Sequence, residues 1–148
     1  MSHISTVSSL ADAAQVLEDL GYKVALQEAS VAVQIGADEH PLAAVLTMDD
    51  DKMKITCQVA LTGQIAERNR ETFAWAALDA NTRLSPYAIG LITDADDPQY
   101  DDPEACPVVL TNTLRQGELS VQELKAAMDS LLEALLGSRE VLRIGLGG

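Results

Sequence analysis

The period of the apolar residues changes twice along this chain, and that change restricts it to a fold built from both helices and a sheet. Across residues 9–20 the apolar positions fall at Leu10, Ala13, Ala14, Leu17 and Leu20, one face of a helix. Ser9 stands where an N-cap belongs, with Asp12 at a capping-box-like position near the positive end of the helix dipole. Gly21 follows as a stop. Over residues 22–62 the period becomes two. Val24 and Leu26 alternate with polar neighbours, then Val31, Val33 and Ile35, then Ile55, Cys57, Val59 and Leu61, while residues 42–48 are more continuously apolar. Breaks at residues 28–30, 36–41 and 49–52 divide this region into antiparallel strands joined by short turns, with one face buried.

After Gly63 the helical period returns. Residues 64–84 carry Ile65, Phe73, Ala76, Ala77 and Ala80 on one side, widened by Trp75, and Pro86 ends the segment. Residues 87–93 and 107–113 read as strands. Ser120 opens a last helix, with Glu123 at the capping-box spacing. Its stripe is Val121, Leu124, Met128, Leu131, Leu132, Leu135 and Leu136, and Gly137 closes it. The order α-β(3-4)-α-β-β-α predicts an α+β domain over residues 1–137. It holds an antiparallel sheet of about five to six strands and three helices. Residues 138–148, ending in Gly147 and Gly148, are expected to form a flexible tail.

Charge and composition narrow the function. With 47% hydrophobic residues in 148, the chain can bury a core, which excludes a disordered acidic polymer. Its net charge of -13 repels nucleic acid and anionic membranes. Aromatic residues make up only 3%, too few for a base-stacking platform. No apolar run approaches the roughly 20 residues of a membrane span, and residues 1–9 lack the pattern of a secretory signal, so the expected location is the cytoplasm. Cys57 and Cys106, too far apart for a CxxC motif, are expected as buried free thiols.

Catalytic constellations are scarce. His3 and His40 have no helix-spaced partner, and Ser, Thr and Lys are scattered without a recognisable base. The densest chemistry is the acidic stretch 94–104. There Asp94, Asp96, Asp97, Asp101 and Asp102 offer carboxylate oxygens to a divalent ion, with Tyr87 or Tyr100 nearby. An EF-hand beginning at Asp94 would want glycine and glutamate where Gln99 and Ala105 stand, so a solvated loop is the simpler reading. Asp49, Asp50 and Asp51 read as a wet hairpin tip. Trp75, with Phe73 and Tyr87, fits a core position or a contact surface. Arg68, Arg70 and Arg83 form a local basic strip suited to pairing with the chain's own acids. The Gly-Gly end is similar to that of ubiquitin-like modifiers, but a core that begins and ends with helices is not theirs.

Taken with its length and acidity, the element order resembles the type III secretion chaperone-like fold, an architecture also adopted by bacterial regulators. The stretch from Ile65 to Asn81, with its Ala-rich face and Trp75, resembles the central helix such proteins often use to dimerise. The chain is also similar to a small uncharacterised bacterial family encoded near phage-shock-protein-A-like membrane-stress genes. These resemblances imply a non-catalytic cytoplasmic protein-binding module, a chaperone, adaptor or regulator, without a cofactor. It would form a homodimer, bind another protein through Phe73, Trp75, Ala76 and Arg68, and contact neither nucleic acid nor the membrane directly. The alternative is a small-molecule or divalent-metal enzyme using the 94–104 stretch.

Overall fold

Residues 6–35, 42–49, 51–92, 106–115 and 119–146 are described by the computed structural model. They form α1 (Leu10–Asp19), β1 (Val24–Leu26), β2 (Val31–Ile35), β3 (Leu42–Asp49), β4 (Lys52–Leu61), α2 (Arg70–Ala80), β5 (Ala88–Leu91), β6 (Pro107–Arg115), α3 (Val121–Gly137) and α4 (Arg139–Gly145). The class is α+β, with a six-stranded antiparallel sheet in the order β1-β2-β3-β4-β6-β5. The chain divides into two compact units. One comprises Met1–Cys57 and Thr111–Ser130, the other Gln58–Leu110 and Leu131–Gly148.

The first unit is built on register. β2, β3 and β4 pair antiparallel so that Val31 opposes Leu46, which opposes Ile55, while Val33 opposes Ala44, which opposes Cys57. All six side chains are fully buried. A shift of one residue would turn every one of them to the other face, so the period-two pattern specifies this pairing strongly. α1 buries Ala13, Ala14, Val16 and Leu17. Its N-cap forms as the residues suggest: the Ser9 hydroxyl accepts from the Asp12 N–H at 3.1 Å. The Asp12 carboxylate reaches one residue further back than a capping box would, accepting from the Ser8 N–H (3.1 Å) and hydroxyl (2.8 Å). Those bonds to Ser8, led by the hydroxyl, hold its pKa below the ordinary value. Gly21 turns the chain at φ +101°, a conformation that side-chain-bearing residues rarely adopt. The 28–30 break, which lacks a hairpin glycine, closes through Gln27 N–H donating to the Ser30 carbonyl at 2.8 Å. Ser120 and Glu123 make the reciprocal capping box at the start of α3.

The second unit departs from expectation in two places. The helix expected over 64–84 is shorter: two 3-10 turns, Thr62–Gln64 and Glu67–Asn69, precede α2. Within the tail expected to be flexible, Arg139–Gly145 instead folds as α4, making four α-helices among the described residues where three were expected. The reason lies in Val141 and Gly145, one helical turn apart and both buried. A Cβ at Gly145 would lie 2.6 Å from the Phe73 ring, so glycine is what allows α4 to approach α2 this closely. Ser138, also buried, donates from its hydroxyl to the Leu135 carbonyl at 2.9 Å as the chain passes from α3 to α4.

Candidate functional site: the outer face of α2 and the cavity beneath it

α2 has two faces with different duties. Phe73, Ala77 and Ala80 recur at helical spacing and are buried. On the other side Trp75 is 68% exposed and Leu78 64%, one turn apart. Leu91, at the end of β5, is 55% exposed. These are large apolar side chains in water, a costly arrangement unless something covers them part of the time. The stretch of sequence that carries them is neutral in sum. Between residues 62 and 92, Arg68, Arg70 and Arg83 balance Glu67, Glu71 and Asp79, so the chain's entire -13 lies elsewhere.

Beneath α2 lies a cavity of about 360 Å³, bounded by α2, β5 and Val108 of β6. Its walls are mostly apolar, with Ile65, Phe73, Ala77 and Ile89 prominent, and the exposed Leu78 borders it as well as the outer face. Polar anchors stand at either end of the helix. Arg70 Nε donates to the Ile65 carbonyl at 3.2 Å and Nη2 to the Thr62 carbonyl at 3.4 Å, tying the start of α2 to the preceding turn. Asn81 follows the last residue of α2. Its amide nitrogen donates to the Ile89 carbonyl at 3.2 Å, and the Ile89 N–H donates to its amide oxygen at 2.7 Å. Asn81 therefore imitates a neighbouring strand along β5, the last strand in the sheet order, and blunts an edge that would otherwise invite pairing.

The residues singled out in the sequence separate here. Phe73 is buried between the cavity and Gly145, so it serves packing and is withdrawn from any outer contact. Of the two readings of Trp75, a core position is excluded, since the side chain stands in solvent. Ala76 is half-buried and Arg68 exposed. Arg83 pairs with Asp79 at 3.1 Å, with both side chains exposed, the self-pairing expected of the basic strip. Leu78, Leu91 and Asn81 were missed. The signal for Leu78 was its spacing of three from Trp75, whereas Asn81 and Leu91 carry no sequence signal for their roles.

Asp94, Asp96, Asp97, Asp101 and Asp102 lie outside the described residues, as do Tyr100, His3, His40 and Asp50. Asp49 pairs in register with Lys52, and Asp51 is exposed in the turn between β3 and β4, the wet tip that three adjacent acids suggest. Among the described residues, no group of three or more His, Cys, Asp or Glu side chains is placed to hold a metal ion. Cys57 and Cys106 are both buried and form no disulfide with each other, in line with the buried thiols expected. Burial pushes the Cys57 thiol up to about 11, so it remains protonated at neutral pH. No described helix is long and apolar enough to cross a membrane.

No family model and no curated protein matches the chain. Solved structures do. YbjN from E. coli, described as a proposed transcription regulator, superposes with a TM-score of 0.65 at 12% identity, over 93% of this chain and 96% of its own. An uncharacterised protein from Methanothermobacter thermautotrophicus superposes with a TM-score of 0.54 at 15% identity, over 88% of this chain and 94% of its own. At such identities the likeness establishes the fold shared along nearly the whole chain.

Proposed function

We propose that this chain is a non-catalytic protein-binding module, a regulator or adaptor, that makes its contact through the outer face of α2. The observation that carries this reading is Trp75 and Leu78 standing side by side in solvent, within a stretch whose charges cancel on a chain of net charge -13. Tryptophan is the residue most enriched among binding hot spots, and a charge-depleted centre marks contact surfaces. A second copy is the partner that this electrostatics favours first. Two copies of charge -13 repel through most of their surface, and the neutral α2 stretch is where they meet at least cost. The fold shared with a proposed transcription regulator supports a regulatory role. For this chain, the negative charge makes regulation through protein contact more fitting than through a grip on DNA. A place beside membrane-stress machinery would likewise be reached through a partner. Cytoplasmic location and the absence of catalysis belong to the same proposal.

Light scattering across a concentration series on wild type and on Trp75→Ala/Leu78→Ser tests it. Wild type should shift toward the dimer mass as concentration rises, and the double variant should stay monomeric with an unchanged far-UV spectrum. If both proteins show the same mass at every concentration, the self-association part falls. If wild type and variant also retain the same specific protein from a lysate, the α2 face is not the contact.

A further inference from the structure

We propose that the cavity under α2 is a binding site for a small neutral apolar molecule, in its simplest form an alkyl chain without a charged head. Its size, about 360 Å³, falls within the range of small-molecule sites. The residues around it run the length of α2, from Arg70 to Asn81, about 16 Å at helical rise. β5 contributes Ile89 and Leu91, and β6 contributes Val108. Water gains little in a space with such walls, because it needs several polar partners to settle. An apolar guest gains by leaving water for it.

The polar side chains around the cavity decide the chemistry of the occupant, because the chain itself already engages each of them. Arg70 donates to the Ile65 and Thr62 carbonyls. The Thr62 hydroxyl accepts from the Cys106 N–H at 3.1 Å. Both amide atoms of Asn81 are bonded to the Ile89 backbone. A charged or strongly polar guest would have to displace these bonds or go without partners, and either way it loses its hydration uncompensated. The net charge of -13 turns anions away further. A neutral hydrocarbon meets neither penalty. The same bonds secure both ends of α2, so the cavity is formed before a ligand arrives. Leu78 and Leu91, exposed at its border, offer an alkyl chain an apolar way in from solvent. Trp75 is not among the surrounding residues, so the site stands whether or not the outer face of α2 binds a protein.

The test is calorimetric titration of the full chain with hexanol, octanol and decanol, and separately with decanoate, each below its solubility or aggregation limit. Wild type should bind one alcohol per chain. From hexanol to octanol the affinity should rise about three- to fourfold per added methylene, the increment for burying one CH₂. Decanoate should bind about tenfold more weakly than decanol, or worse, since its charge finds no partner. Ala77→Phe fills the cavity from a buried wall position and should abolish binding. Should that variant fail to fold, Ala74→Phe decides: it enters from an exposed position on the cavity's border and should weaken decanol at least tenfold while the protein still melts cooperatively. The proposal is overturned if wild type binds no alcohol saturably, or with an affinity that ignores chain length. Decanoate binding as tightly as decanol would mean that a head group is recognised, and overturns it too. So does unchanged decanol binding by a folded Ala74→Phe variant, which would place the ligand elsewhere.

Discussion

The β2–β4 ladder and the outer face of α2 spend their large side chains in opposite ways. In the ladder, Val31, Leu46 and Ile55 oppose one another across three strands and are fully buried, so each is fixed by its cross-strand neighbours. On α2, Trp75 and Leu78 are among the most exposed large apolar residues described, and they add little to the folded state. Side chains that contribute little to folding while costing solubility are the ones to examine for a role outside the fold. The same helix turns Phe73 inward, so the distinction is drawn within one element, a few residues apart.

Substitutions can break this comparison. The largest effect is expected at Ile55→Ala, which removes a fully buried side chain from the ladder and should cost about 2–5 kcal/mol in a urea titration. Trp75→Ala should change stability by less than ~0.5 kcal/mol, as a surface substitution does. A comparable loss at both positions would erase the contrast. Gly145→Ala sharpens the account of α4. Its Cβ would press on Phe73, and the overpacking of about 1–3 kcal/mol should outweigh any gain in helix propensity. A more stable variant would mean that α4 does not pack closely. A smaller, opposite effect is expected at Asn112, buried on β6 with an amide nitrogen that has no hydrogen-bond partner among the described residues. Asn112→Leu should stabilise by about 1 kcal/mol, read as a higher melting temperature.

The smallest effect depends on pH. The Asp12 pKa is lowered in the folded state, so its contribution is fully present above the unfolded value and is lost as pH falls through the folded one. Asp12→Asn should therefore lower the melting temperature near neutrality, and the gap from wild type should close at acid pH, below about 3.9. A gap independent of pH would mean that the charge of Asp12 is not what the Ser8 contacts stabilise.

Much of the fold was legible because it rests on periodicity and caps. The ladder follows from alternation at Val31–Ile35 and over residues 55–61, and the helix starts follow from Ser9 and Ser120. α4 was not legible, because Val141 and Gly145 make too short a stripe to signal a helix without Phe73 as its partner. The site was half legible. Trp75 drew notice as a lone tryptophan, but which side of α2 it occupies depends on where Phe73 packs. Asn81 pairs with β5 through a bond eight residues distant, a contact that no local pattern encodes.

Trp75 is the chain's only tryptophan, so its fluorescence reports directly on the face in question. The decisive measurement is its emission maximum and acrylamide quenching as protein concentration rises, alongside mass by light scattering. At high dilution the emission should be that of a solvent-exposed indole, freely quenched. It should shift to the blue and become protected as the dimer forms. Emission that is already buried at dilution, or that stays unchanged while the mass doubles, would contradict the central claim that α2 presents this side chain for binding.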